Sequence, residues 1–294
     1  MTNKLAEEDW QVLLSMIEHG KCTPFIGAGA CHNILPLAKD IALEWAKEHN
    51  YPMEDIDDLG NVAQYLAITL SPTYPKHQIA QMLKNIYPES IEAIEKTHGL
   101  LAELPLPVYI TTNYDDFMYR TLQSKRKNPN RVLCQWNSFV RKNLDPQQKD
   151  DYVLKNDFTP SAQEPIVFHL HGLDEIPESL VLTEDDYVDF VVNTSKDMME
   201  VVPFQIQKAL TSHSLLFIGY GLKDWSFRVL FRGLVSQLEK SLRKKSIAIQ
   251  LPKSLKQESY LNKYFDEMKI KVYWGEASEF IEELKSRWND YEGR

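Results

Sequence analysis

Three short stretches of this 294-residue chain put polar side chains where chemistry could be done. His169 and His171 alternate in Ile166-Val-Phe-His-Leu-His171, so on a strand both point to one face. Two imidazoles at that spacing can share a metal, yet no third ligand stands near them in sequence, and hydrogen-bonded core histidines are the competing reading. Asn113 and Asp115 close the run Val108-Tyr-Ile-Thr-Thr-Asn-Tyr-Asp115. By type they are turn residues or a cap for a helix over 115–123, with Asp116 as the other candidate cap. The third stretch is Phe25-Ile-Gly-Ala-Gly-Ala30. Its Gly27, Ala28 and Gly29 let a backbone approach a pyrophosphate, and a following helix N-terminus would add free N–H groups. A purely steric strand-to-helix turn uses the same residues. Cys31, just beyond, is either a low-pKa thiol at a helix start or an inert one.

Each stretch ends an apolar run that reads as a strand. Cys22–Ile26 opens into the glycine turn, and Val108–Thr111 continues into Thr112 and Asn113. Ile166–His171 stops at Gly172, and Ser214–Ile218 stops at Gly219-Tyr-Gly221. The helices expected around them begin with 5–19, whose apolar set is Leu5, Trp10, Leu13, Leu14 and Ile17, and which Gly20 ends. A second helix covers 37–49. Residues 59–104 read as helical throughout, broken at Pro72, Pro75, Pro88 and Gly99. Residues 124–164 read as irregular, with short apolar runs at Val132–Cys134 and Tyr152–Leu154.

The remainder alternates: helices at 184–193 and 196–211, the strand at 214–218, a helix at 224–240, strand Ser246–Gln250, a helix at 254–267, strand Ile270–Tyr273 and a last helix at 277–288. Asp224 reads as an N-cap, Trp225, Phe227 and Phe231 as core, and Glu184-Asp-Asp186 as a capped helix start. Apolar strands alternating with helices predict an α/β fold. It is a Rossmann-like parallel sheet with helices on both faces, in one domain over 1–294 with helical insertions at about 59–104 and 124–164.

Composition narrows the function. A 43% hydrophobic and 26% charged chain can build one large core. A net charge of −9 offers little to phosphate backbones, so no direct nucleic-acid contact is expected. Lys125–Lys127 and Arg243–Lys245 read as solvated positions. No window of about 18 apolar residues exists to span a membrane, and Met1–Trp10 lacks the make-up of a signal peptide. Three cysteines, Cys22, Cys31 and Cys134, occur without a CxxC pair. That argues against a disulfide framework and a Cys-rich zinc site, and it fits the cytoplasm.

A nicotinamide dehydrogenase fits poorly. Its fingerprint needs a third glycine where His32 stands, and an acid at the end of a second strand about 30 residues on. Here Asp40, Glu44 and Glu48 lie on a predicted helix, and the next strand begins at Val108.

Four segments in order do carry a likeness: Phe25-Ile-Gly-Ala-Gly-Ala30, Thr111-Thr-Asn-Tyr-Asp115, His169-Leu-His-Gly172, and Phe217-Ile-Gly-Tyr-Gly-Leu222 with Asp224. Together they resemble the sirtuin superfamily, in the sirtuin-like branch found in bacterial antiphage defence. The resemblance implies NAD as substrate. It implies Asn113 on the nicotinamide ribose and an attacking water, Asp115 at the nicotinamide end, and His171 as a general base on a ribose hydroxyl. Gly27, Ala28, Gly29, Thr112, Gly219, Tyr220 and Gly221 would line the cofactor.

The chain departs from sirtuin deacylases in lacking two zinc-binding CxxC pairs, in reading Asn33-Ile-Leu-Pro-Leu37 where they have a Phe-Arg pair, in Thr112 for Gln, and in Cys31 for Ser. Without the zinc module, NAD hydrolysis to nicotinamide and ADP-ribose is the expected activity. A deacylase or ADP-ribosyl transferase is the alternative enzyme, and a non-catalytic NAD- or ADP-ribose-sensing or scaffold subunit the alternative class. The resemblance also implies a homo-oligomer that works with a HerA-type ring ATPase or a short Argonaute, with 59–104 and 124–164 as contact surfaces.

Overall fold

The computed structural model describes residues 4–31, 34–155, 157–221 and 244–293. Its sheet has seven strands: β1 (Cys22–Ile26), β2 (Val108–Thr111), β3 (Asn130–Leu133), β4 (Ile166–His169), β5 (Ser214–Ile218), β6 (Ser246–Gln250) and β7 (Ile270–Trp274). All neighbours pair in parallel, in the order β3-β4-β2-β1-β5-β6-β7.

The strands are apolar on both faces, which is what a parallel sheet between two helical layers requires. Phe25, Ile110, Phe168 and Phe217 face one core, with Phe190, Ile206, Leu210 and Phe265 from the covering helices. Their strand neighbours Ile26, Tyr109, Val167 and Ile218 face the other, against Trp10, Leu14, Phe280 and Leu284. Trp10 stacks on Phe280 at 5.2 Å, so the helices Glu7–Glu18 and Ala277–Glu292 close that face together.

From β1 the chain adds β2, then the edge strand β3, then β4 between those two, before it crosses to add β5, β6 and β7 on the opposite side of β1. The direction of winding therefore reverses between β1 and β5. In open α/β sheets the crevice beyond the carboxyl ends at such a reversal is where ligands bind.

Helix bounds fall within a few residues of expectation, with three differences. The helix Tyr74–Ile94 runs through Pro88, followed by a π-turn at Glu95–Gly99 and a last helical turn at Leu100–Glu103. Neither Pro88 nor Gly99 stops it; the helical path ends at Glu103, and Leu104 before Pro105 is extended. In 124–164, Asn130–Leu133 is the edge strand of the main sheet, while Tyr152 ends the helix Pro146–Tyr152. Arg131 of that strand anchors the region: it pairs with Glu175 at 2.7 Å and lies over the rings of Tyr119 and Tyr152. Third, Pro203 divides the expected helix 196–211 into Met198–Val201 and Phe204–Ser212, because proline lacks the amide a continuing helix needs.

The helix expected over 224–240, with Leu222, Asp224, Trp225, Phe227 and Phe231, and also His32, Asn33 and Arg243, lie outside the described residues. Among the described residues no helix is long and apolar enough to cross a membrane.

The helices Ala38–Glu48, Leu59–Thr69 and Tyr74–Ile94 form a small core of their own. Trp45, Val62, Leu66 and Ile79 pack there against Leu180 and Leu182, from the loop that follows β4.

Candidate active site

Register builds the site. Ile26 of β1 pairs with Thr111 of β2 and with Ile218 of β5, and Thr111 pairs with His169 of β4. Asn113 and His171 each lie two residues past one of these level partners, so adjacent strands deliver them to the same edge. The four sequence segments, the last of them as far as Gly221, are thereby brought together, because parallel pairing aligns their ends.

Beyond β1 the glycines serve close packing. The amide of Gly27 donates to the Ile218 carbonyl (2.9 Å), that of Gly29 to the Gly219 carbonyl (3.0 Å), and that of Ala30 to the Gly27 carbonyl (2.9 Å). Gly219 has φ +78, and a Cβ there would lie 2.3 Å from the Ala30 nitrogen, so only glycine fits. The turn enters a short 3-10 segment, Ala28–Cys31, and the next α-helix starts only at Ala38. That helix lies where the sequence placed it, and the amides of Gly27 and Gly29 are already bonded to the end of β5 and its turn.

Tyr220 bridges the ends of β1 and β2. Its phenol donates to the Ile26 carbonyl (3.1 Å), which can only accept, so Thr112 donates its hydroxyl proton to the phenol oxygen (2.6 Å). The ring lies against Gly27, where a Cβ would meet it at 2.9 Å, and edge-on to Phe25.

Asn113 is 8% exposed and Asp115 4%. The Asn113 amide donates to Thr111 Oγ1 at 3.0 Å, and its side-chain Nδ2 donates to Cys31 Sγ at 3.3 Å. Asp115 Oδ1 accepts the Phe117 amide at 3.0 Å, so this carboxylate caps the helix Phe117–Ser124. Asp116 occupies the formal N-cap position without a capping bond and faces Arg131 and Arg120. Burial raises Asp115 from the ordinary carboxylate range to about 6. Cys31 is not an activated thiol: burial first, then the Asp115 charge, pushes it well above its usual value.

His171 is 6% exposed, and its Nε2 finds no hydrogen-bond partner among the described residues. Its ring sits edge-on to Phe190 (5.0 Å) and Tyr187 (5.5 Å), both on the helix Glu184–Lys196. Burial pushes it down to about 3, so it is a neutral imidazole. His169, also pushed down to about 3, lies beside the Asn113 backbone.

The loop after β4 holds His171 in place. Gly172 has φ +90, and a Cβ there would strike the Ser179 carbonyl at 2.3 Å. The Val181 amide donates to the His171 carbonyl at 3.0 Å, and Tyr114 Oη donates to the Val181 carbonyl at 2.6 Å. Thr183 and Asp186 form the capping box of the helix carrying Tyr187 and Phe190, and Asp186 also accepts from Lys76 at 2.7 Å. Tyr114, Ser179, Tyr187 and Phe190 escaped the sequence reading. Gly172 after His171 was the one signal of a fold-back, and nothing in the spacing reveals which residues it reaches.

The three cysteines lie in three different apolar clusters, Cys134, Cys22 and Cys31 in turn. Among the described residues no group of three or more His, Cys, Asp or Glu could hold a metal.

The sequence profile of the SIR2-like domain matches residues 107–273, from the entry of β2 to the end of β7. The chain belongs to the SIR2-like family. It is also similar to proteins named NAD(+) hydrolase ThsA. That of Enterococcus faecium is 26% identical over 214 residues, covering 71% of this chain and 38% of the relative. That of Cytobacillus dafuensis is 28% identical over 187 residues, covering 63% and 32%. The ThsA of Bacillus cereus is 24% identical over 210 residues, covering 71% and 37%. This SIR2-like chain thus spans only about a third of the length of the curated relatives it matches. Asn113, Asp115, His171, Gly219 and Tyr220 all fall inside the matched domain; the turn Gly27–Gly29 precedes it.

Proposed function

We propose that this chain is an NAD glycohydrolase. The carrying observation is that a SIR2-like sheet sets Asn113 and His171 at the same edge of two paired parallel strands, with Asp115 buried beside Asn113 through Cys31. In this reaction the bond from ribose C1′ to the nicotinamide nitrogen breaks and its electron pair leaves with neutral nicotinamide. A water oxygen forms the new bond to C1′ and loses a proton, giving ADP-ribose.

Asn113 would hold the ribose and the water. His171 would accept a proton from a ribose hydroxyl through its free Nε2. Asp115 bears a charge that burial leaves poorly compensated; a pyridinium or an oxocarbenium-like ribose beside it supplies the missing cation. Gly27, Ala28, Gly29, Thr112, Gly219, Tyr220 and Gly221 would line the diphosphate and adenosine ribose. Because the Tyr220 ring rests on Gly27, a phosphate reaches that turn only when the ring turns away.

The test is release of nicotinamide from NAD by the purified chain, with an acylated peptide in parallel. Asn113→Ala and His171→Ala should each lower kcat by at least about 100-fold, the lower range of acid–base contributions. Near-normal turnover by either folded variant refutes the assigned roles. Peptide-dependent turnover favours the deacylase, and binding of ADP-ribose without cleavage favours a sensor.

We further propose a single domain over 1–294 without structural zinc, which elemental analysis at about one zinc per chain would overturn. We also propose that the chain is the effector of an antiphage defence complex in the cytoplasm. It would be a homo-oligomer whose turnover depends on a neighbour such as the HerA-type ring ATPase or short Argonaute that the resemblance implies. Light scattering, alone and with each neighbour, checks this; a monomer with full activity of its own contradicts it.

A further inference from the structure

We propose that Cys31 is a positioning residue: its thiol joins the Asn113 carboxamide to the Asp115 carboxylate and thereby sets which end of the carboxamide faces the crevice. The catalytic meaning rests on the glycohydrolase reading; the linkage itself does not.

The geometry comes from two elements. Cys31 ends the 3-10 segment after β1, while Asn113 and Asp115 follow β2. Asn113 Nδ2 lies 3.3 Å from Cys31 Sγ, which lies 3.7 Å from Asp115 Oδ2. All three side chains are buried, so water does not compete for these contacts.

The chain of donors has one direction. An ionised carboxylate only accepts, and a thiol has a single proton. Burial and the neighbouring carboxylate keep the thiol protonated. Its proton therefore goes to Asp115, leaving sulfur lone pairs as acceptors. The only group of the Asn113 side chain that can donate to them is Nδ2–H, so Oδ1 points away from the sulfur. Asp115 is itself held through Oδ1 by the Phe117 amide, and the Asn113 backbone by Thr111 Oγ1. The direction is thus imposed from a fixed helix start. A carboxamide oxygen turned to the crevice can accept from a ribose hydroxyl or from a water losing its proton; the flipped amide would offer a donor instead.

Cys31 also touches an apolar cluster with Ile94 and Phe117, so packing is the competing explanation. Substitutions separate the two. Cys31→Val keeps the size and removes the relay, whereas Cys31→Ser keeps the relay and puts a hydroxyl into an apolar neighbourhood. Positioning expects kcat for NAD cleavage to fall about 10-fold in Cys31→Val and Cys31→Ala, with KM changed less than about 3-fold, and Cys31→Ser to recover most of it although it melts lower. A packing role reverses the order, with Cys31→Val the best variant and Cys31→Ser the worst.

The second readout needs no turnover: the side-chain amide signals of Asn113 in a 15N-labelled sample. Slow solvent exchange and a displaced shift of one Asn113 Nδ2 proton in the native chain, lost in Cys31→Val and kept in Cys31→Ser, support the linkage even if NAD is not cleaved, in which case only the glycohydrolase reading falls. A Cys31→Val variant with native kcat, or with unchanged Asn113 amide signals, overturns the proposal.

Discussion

Asp115 illustrates how the candidate site costs the fold stability. Burial lifts it from 3.8 to about 6, so the folded chain keeps its proton up to about pH 6 and bears a strained charge above that. The sign follows: relative to the unfolded chain nothing is lost below pH 3.8, and a penalty grows up to pH 6 and stays above it. Asp115→Asn keeps an acceptor for the Phe117 amide and removes the charge. It should raise stability at pH 8 by about 1–3 kcal/mol, from about 1.4 kcal/mol per pKa unit, and change little at pH 4, while impairing NAD cleavage. Urea unfolding at both pH values checks this; equal effects at the two would show that the carboxylate is not strained by burial.

At the scale of elements, two loops that follow strands do the positioning, and each depends on a glycine with positive φ. The β5 turn presses on the β1 turn, and the β4 loop folds back onto Ser179. At Gly219 the clash is with backbone, the Ala30 nitrogen at 2.3 Å and the Gly27 carbonyl oxygen at 2.6 Å, which cannot swing aside as a side chain would. Gly219→Ala should therefore cost about 2–5 kcal/mol, adding left-handed strain to overpacking. It should also separate the two turns, which faster amide exchange at Gly29 reports, since that amide donates to the Gly219 carbonyl. A variant with native stability and unaltered Gly29 exchange would mean the turns are not packed this way. Tyr220→Phe removes one hydroxyl with its two hydrogen bonds and should cost about 1–3 kcal/mol.

For the whole molecule, buried ionisable groups set the response to acid. His98, His169 and His171 are pushed down by burial to about 4, 3 and 3. The unfolded chain protonates them near 6.5, so their contribution is present above pH 6.5 and lost as pH falls. Asp115 and Asp116, both raised to about 6, act in the opposite sense between pH 6 and 4. With His213, which burial also lowers to about 4, four protons taken up on unfolding against two released leave a net loss of roughly 2.7 kcal/mol per pH unit below pH 6. Melting temperatures should hold steady from pH 8 to 6.5 and fall from there to pH 4.5. A melting temperature that rises over that lower range would show that these histidines are not held neutral.

The sequence by itself determined the elements that depend on local pattern. Cys22–Ile26, Ser214–Ile218 and Ser246–Gln250 were read to the residue, because strands buried on both faces are continuous apolar runs bounded by glycine or polar residues. Asn113, Asp115, His171 and the glycine turns end such runs, but by type they read as turn, cap and core residues, and the family resemblance is what gave them roles at a site. Tertiary structure alone decided what those residues meet. The edge strand Asn130–Leu133 is short and half polar, and only pairing with β4 makes it a strand. The Cys31–Asn113–Asp115 contacts join residues more than 80 positions apart. The rings of Tyr187 and Phe190 reach His171 from a helix whose own pattern shows only an amphipathic face. Local spacing records which side of an element a residue occupies; sheet order and loop closure determine its neighbours, and those depend on the packing of the whole chain.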